Sequence, residues 1–209
     1  PDVRRTLSLM KAKIEAGRAI CYHAAVETDF GDFHESEEER AWSRRRENLM
    51  IPIAKAWCTD MGVEIASLGI QVHGGMGFIE ETGAAQHLRD ARIAPIYEGT
   101  NGIQAMDLVG RKLAADGGAA MRDLIEDIRQ TVEDLETSSN AELPKLAARL
   151  GPACDSLEEA SHWLLKASNE DRLAGATSFL KLAGDVTGGW LLCVGAVAAR
   201  RQLKEGEGD

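Results

Sequence analysis

Apolar residues recur every three to four positions along almost the whole of this 209-residue chain, and no other feature limits its fold so strongly. Leu7, Met10, Ile14, Gly17, Cys21 and Ala24 mark one face of a long first helix. The segment DFGDFHESEEER (29–40) interrupts that pattern with glycine, aromatics and an acidic run, and reads as a solvated loop. A second helix is expected over 48–72, carrying Ile53, Ala56, Trp57, Met61, Ile65 and Leu68, with Pro52 near its first turn. Beyond residue 118 three more amphipathic helices follow. Met121, Leu124, Ile128, Val132 and Leu135 mark the first; Leu146, Leu150, Cys154, Leu157, Ser161 and Leu164, after Pro144, mark the second; Leu173, Phe179, Leu180, Ala183, Trp190, Val194 and Val197 mark the third. Strand patterns are nearly absent. The expected fold class is all-α, an up-down helical bundle with antiparallel neighbours followed by a further helical extension.

Glycine clusters punctuate the helices. In QVHGGMGFIEETG (71–83), Gly74 and Gly75 are expected to end the second helix as a left-handed cap. Thr82 is placed to cap a short third helix containing Ala85, Leu88 and Ala91. RIAPIYEG is non-helical and expected to be extended before Pro95. Thr100 caps a fourth helix through Ile103, Met106, Gly110 and Leu113. AADGGAA (114–120) is the best boundary, dividing the chain into 1–115 and 116–209.

Charge narrows the partners. The net charge is −10; residues 1–115 carry 14 Lys and Arg against 17 Asp and Glu, and residues 116–209 carry 10 against 17. No basic stripe exists to displace counterions, which argues against nucleic acid. Cys21, Cys58, Cys154 and Cys193 are widely spaced, with no C-x-x-C pair and no ligand-spaced His/Cys cluster, so they read as reduced, buried thiols of a cytoplasmic protein and no metal is expected. The apolar run GGWLLCVGAVAA (188–199) is too short to span a bilayer, and no membrane association is expected. The chain starts at Pro1 inside a helical pattern, as a fragment of a longer protein would.

Two motifs then speak to function. The glycine cluster alone is neither a Walker loop nor a G-x-G-x-x-G turn, and by itself reads as a helix cap. YEGT alone reads as a helix start with a solvated glutamate. Together, Gln71-x-x-Gly74-Gly75-x-Gly77-Phe78, Leu88-Arg89-Asp90-Ala91-Arg92 and Ile96-Tyr97-Glu98-Gly99-Thr100, in that order and spacing, closely resemble the C-terminal helical domain of the acyl-CoA dehydrogenases. The resemblance covers roughly residues 1–113.

That resemblance implies an FAD-dependent enzyme that removes hydrogens from the α and β carbons of an acyl-CoA thioester, passing electrons to an electron-transfer flavoprotein and working as a homodimer or homotetramer in a bacterial cytoplasm. Glu98 matches the family's catalytic base, taking the α-proton while the β-hydride passes to the flavin. Bound substrate would displace water from this carboxylate. The Glu98 backbone N–H matches a donor to the thioester oxygen. Tyr97 and Gly99 complete the substrate side. Gln71, Gly74 and Gly75 match the loop that meets the adenosine-diphosphate part of the partner subunit's FAD, where glycine permits close backbone approach. Thr100 matches a flavin-side contact. Many members carry a glutamine where this chain has Gly102, so only a backbone contact with FAD can survive there. His73 reads as structural beside its glycine turn, and Arg89, Asp90 and Arg92 as a bundle ion-pair set.

Residues 116–209 depart from short-tailed members and resemble bacterial members acting on less usual acyl groups, 3-(methylthio)propanoyl-CoA among them. Read without that resemblance, the tail is a packing module. The rival reading is a non-dehydrogenating, flavin-bound binding or stress-response relative of the same fold; retention of Glu98 and an acidic tail favour the enzyme. Alone, the 209 residues lack a β domain, so FAD retention and turnover are not expected of them.

Overall fold

The computed structural model describes residues 1–206, with side chains to Leu203. The expected all-α class is what it shows: among the described residues there is no strand. Helices α1 (Asp2–Phe33) and α2 (Glu37–His73) form a long antiparallel hairpin. Its rungs run from Lys13–Glu64 through Gly17–Cys58 and Thr28–Glu47 to Asp32–Arg44.

The connection is far shorter than the loop expected over 29–40. Helix α1 continues to Phe33, and α2 starts at Glu37 instead of near 48, leaving three residues between them. The acidic run is a helix start: the Ser36 hydroxyl accepts from Glu39 N–H, and Glu37, Glu38 and Glu39 lie where a helix N-terminus favours negative charge. Gly31 does not break α1. It lets α2 approach, since a methyl there would lie 3.0 Å from Arg44 Cγ. Pro52 is consequently not in a first turn but inside α2, and buried. Hydrophobic packing on that face outweighs its missing N–H.

After α2 the chain makes the short helix α3 (Gly75–Phe78), a single 3-10 turn (Glu80–Thr82) and α4 (Ala84–Ala91). Thr82 does not cap α4. Its hydroxyl donates within the preceding turn, to Met76 and Ile79 carbonyls, and Gly83 at φ 81° opens the helix instead. Helix α5 (Asn101–Asp107) begins as expected at Thr100, whose hydroxyl accepts from Ile103 N–H. It then widens into a π turn (Leu108–Lys112) before α6 (Leu113–Ala115), where a regular helix was expected. The extra residue in the turn allows Leu108, Val109 and Leu113 all to be buried.

Gly117 and Gly118 both take positive φ, and the Asp116 carboxylate caps the next helix by accepting from Ala119 and Ala120 N–H at 2.9 Å. Helices α7 (Ala119–Glu136), α8 (Leu143–Lys166) and α9 (Asn169–Gly206) follow where three amphipathic helices were expected, though Leu146 on α8 and Leu173 and Val194 on α9 are exposed, off the faces that pack. One continuous core runs from Ala16 to Cys193. Helix α9 joins it through small residues: Gly184 lies directly under the Trp57 ring, and Gly188 faces Ala16 and Ile20. Trp57 Nε1 donates to Asp185 at 2.9 Å, and Trp190 Nε1 donates to Thr131 at 2.8 Å. The apolar run at 188–199 is thus part of a 38-residue helix, long and apolar enough by length and composition to cross a membrane. Its Leu180, Ala183, Val186 and Trp190 are buried against the bundle, while Leu192 and Val194 are exposed.

Candidate active site

The segment from Arg92 to Thr100 is non-helical, as expected, but it is not extended before Pro95. It closes on itself in successive turns, with Ala94 N–H bonded to Ala91 O, Ile96 N–H to Ile93 O and Tyr97 N–H to Ile93 O. Asn101 N–H then reaches back to Pro95 O at 3.0 Å and shuts the loop. A buried Pro95 anchors its base. Glu98 sits at the tip with φ 53°, alone among the described non-glycine residues in having a positive φ, and Gly99 follows at φ 80°. A glutamate held in the left-handed region costs energy that the surrounding bonds must supply.

Those bonds come from α2. Lys55 Nζ donates to Gly99 O at 2.9 Å and to Asn101 Oδ1 at 2.8 Å. The Asn101 amide donates to Ala56 O, Thr59 Oγ1 and Asp60 Oδ1. The outcome is a fixed backbone under a free functional group: Glu98 is exposed, and neither its carboxylate nor its N–H has a partner among the described residues. Tyr97 beside it is 51% exposed. No sequence pattern marks Lys55. Asn101 had one weak signal, a polar side chain between Thr100 and Gly102 in a first helical turn.

The glycine loop lies elsewhere. Gln71 is sixteen residues beyond Lys55 on the same helix, which at 1.5 Å per residue puts it about 24 Å along the axis. Glu98, Gly99 and Thr100 therefore gather around one part of α2, while Gln71, Gly74 and Gly75 gather at its C-terminal end. Gly74 does end α2, with its N–H on Gln71 O at 3.1 Å, but its φ 63°, ψ −144° is a glycine-only conformation and not the left-handed cap expected. Gly75 starts the next short helix instead of joining the cap.

The glycines here differ in what they do. Gly77 is buried, and a Cβ there would collide with the Ile70 carbonyl. Gly75 has neither a positive φ nor any neighbour within 4 Å of an added methyl, and Gly102 has only Thr100 Oγ1 at 3.8 Å. Nothing among the described residues accounts for glycine at 75 or 102. The surface beside them is apolar, with Phe78 80% exposed and Met76, Ile79, Ile93, Ile96 and Ile103 also open. Gly102, Thr100 and Asn101 line a shallow groove with Arg92, Asp60 and Pro95. His73 bonds through Nδ1 to Gly69 O at 2.8 Å, a local structural role. Of the three charges expected as an ion-pair set, only Arg89 pairs, with Glu80 at 2.6 Å, because the 3-10 turn brings Glu80 back over α4 while Arg92 turns toward the groove.

Residues 1–113 match the family described as "Acyl-CoA dehydrogenase, C-terminal domain", and residues 124–209 match "Acetyl-CoA dehydrogenase C-terminal like". The chain belongs to the acyl-CoA dehydrogenase family. It is 44% identical over 209 residues to the 3-methylmercaptopropionyl-CoA dehydrogenase of Ruegeria pomeroyi, covering 99% of this chain and 35% of that protein. It is 30% identical to a broad-specificity linear acyl-CoA dehydrogenase of Mycobacterium tuberculosis, again over 99% of this chain and 35% of the relative. The fold is also that of Caenorhabditis elegans ACDH-11, solved in complex with a CoA ligand, with a TM-score of 0.76 at 23% identity over 92% of this chain and 32% of that one. The chain spans about a third of the length of these relatives.

Proposed function

We propose that the protein containing this chain is an FAD-dependent acyl-CoA dehydrogenase and that Glu98 is its catalytic base. The observation that carries this reading is the Glu98 loop: a carboxylate and its own N–H, both unpartnered, presented together at a strained tip that Lys55 and Asn101 brace from below. Such a pair can take a proton from the carbon next to a thioester while donating a hydrogen bond to the thioester oxygen, which stabilises the negative charge that develops. FAD, when bound, would accept the hydride from the β carbon. Tyr97, exposed beside Glu98, would border the acyl chain.

The openness at Gly75 and Gly102 fits backbone approach by a large cofactor, which needs glycine where this chain's own packing does not. Gln71, Gly74 and Gly75 would meet the adenosine-diphosphate part of FAD, and Thr100 and Gly102 the flavin side. Thr100 still has its hydroxyl proton to donate after capping α5. The roughly 24 Å between the two clusters along α2 is best served by cofactors from two subunits, in keeping with a homodimer or homotetramer. The same reading divides the chain into a catalytic bundle region, 1–115, and a helical extension, 116–209. Its substrate class is an acyl-CoA, with 3-(methylthio)propanoyl-CoA first to be tried, since the relative at 44% identity bears that name. Electron-transfer flavoprotein is the acceptor to supply in the assay.

Glu98→Gln in the intact protein tests the reading. The amide keeps the shape and loses the base, so dehydrogenation across a panel of acyl-CoA thioesters should fall by roughly 10²–10⁴-fold or more with FAD retained. Activity within about tenfold of wild type would overturn the assignment.

A further inference from the structure

Cys21 on α1 and Cys58 on α2 face each other across the helix hairpin with their sulfurs 3.8 Å apart. The approach is built in. Gly17, one turn before Cys21, keeps the helices close, since a methyl there would lie 2.6 Å from Met61 Cε and 3.5 Å from Cys58 Sγ. Both sulfurs line a groove of about 400 Å³ with Ile14, Arg18, Tyr22 and Met61. Of the four thiols expected to be buried, only Cys154 and Cys193 are, on other helices; Cys21 is exposed and Cys58 half-buried, because their helix pair leaves that groove open.

We propose that Cys21 and Cys58 are a peroxide-oxidised dithiol, in which Cys21 is attacked first and Cys58 closes an intramolecular disulfide that staples α1 to α2. In the first step the Cys21 thiolate attacks one oxygen of hydrogen peroxide. An S–O bond forms, the O–O bond breaks, and the departing hydroxide takes a proton to become water, leaving a sulfenic acid. In the second step the Cys58 sulfur attacks Cys21 sulfur, the S–O bond breaks, and the leaving hydroxide takes the Cys58 proton as a second water. Two thiols are oxidised and one peroxide is reduced.

The two sulfurs are differentiated for these roles. The hydrogen bond shared between the two sulfurs outweighs burial and lowers Cys21 to about 6, which favours its thiolate. Cys58 is held well above the ordinary thiol range, first by its hydrogen bond to Cys21, then by burial and the Cys21 charge. Two of those three causes come from the Cys21 thiolate and vanish when it becomes a neutral sulfenic acid. Oxidation of the first sulfur therefore releases the second to react.

The test is peptide mapping of the reduced intact protein after a limiting dose of hydrogen peroxide. A linked Cys21–Cys58 peptide two hydrogens lighter, reversed by dithiothreitol, is expected, with Cys154 and Cys193 modified at least about tenfold more slowly. In Cys58→Ala, Cys21 should stop at the sulfenic acid and be captured by dimedone; in Cys21→Ala, Cys58 should stay reduced at the same dose. A wild-type protein that accumulates Cys21 sulfinic acid or an intermolecular Cys21 disulfide without the linked peptide would overturn the proposal. So would Cys58 oxidation at the wild-type rate in Cys21→Ala. If either variant loses its helical circular dichroism, the wild-type map alone decides.

Discussion

Arg46 on α2 is 1% exposed and donates through Nη2 to Asp127 on α7 at 2.8 Å, with the Trp42 ring 4.8 Å from its guanidinium. One buried cation thereby ties the helix hairpin that supports the Glu98 loop to the first helix of the later stretch. Its Nε and Nη1 have no protein partner, so Asp127 carries the compensation.

Removing Asp127 should therefore hurt more than removing Arg46. A wholly buried pair broken from one side costs about 3–5 kcal/mol; with Asp127 itself 45% exposed, about 1–3 kcal/mol is expected for Asp127→Ala. Arg46→Met removes a charge that also acts on His23 and Glu27, but it keeps the packing volume and leaves an Asp127 carboxylate that water can reach, so its cost should be smaller. Urea unfolding midpoints of the two variants give the order directly. The reverse order would mean that Arg46 stabilises by packing rather than by its pair.

The same cluster predicts a pH dependence. His23 packs edge-on against Trp190, its rings 5.5 Å apart, and burial, then the Arg46 charge, push it below its usual 6.5, opposed by Asp127. A depressed group contributes stability above its unfolded value and loses it as pH falls through the folded one. Glu27 beside it is raised above 4.5, chiefly by burial, with the opposite sign: its contribution is present at low pH and lost as pH rises through the folded value. The melting temperature should thus decline on acidification below 6.5, with Glu27 offsetting the loss as it protonates. His23→Gln should flatten the decline, and an unchanged slope would clear His23 of the effect.

Gly75→Ala and Gly77→Ala separate cofactor contact from packing. A methyl at 75 meets nothing within 4 Å, so apo-protein stability should stay within about 0.5 kcal/mol of wild type. At 77 the methyl meets the Ile70 carbonyl, and a loss of about 1–3 kcal/mol is expected. If FAD approaches Gly75, cofactor retention by Gly75→Ala should fall while the apo melting temperature holds. Full retention would remove Gly75 from the FAD site.

Glu98→Gly should be at least as stable as Glu98→Ala, by about 1 kcal/mol, because only glycine takes φ 53° without strain. Thermal unfolding of the pair measures what the tip conformation costs. Equal stabilities would show that the loop relaxes once the carboxylate is gone.

How far the sequence reaches can be seen residue by residue. Thr100 as a cap, the glycines at 117 and 118 as a break and the presence of three later helices were legible because each is a local rule acting within a turn or two. The fate of 29–40 was not. Whether Gly31 breaks a helix or admits a neighbour depends on Arg44, thirteen positions away, and the glutamates that look like a solvated loop equally suit a helix start. Lys55 was invisible for the same reason: its acceptor, Gly99 O, lies 44 residues on. Glu98, Gly74 and Gly75 were singled out as candidates by their motif. The positive φ of Glu98 and the separation of the two clusters along α2 belong to the folded backbone, which no residue pattern encodes.

The seat of Gly184 under Trp57 has a consequence for the timing of synthesis. Trp57 finds Asp185 across 128 residues, so the apolar face of the first hairpin is made long before the helix that covers it. At ~5–20 residues per second, that interval is about 6–25 s. Throughout it, a nascent chain would carry Trp57, Ile20 and Ala16 uncovered, a greasy strip on an already formed helix pair. Until α9 is made that strip faces water, and the later stretch of the chain acts in part as the cover that closes it.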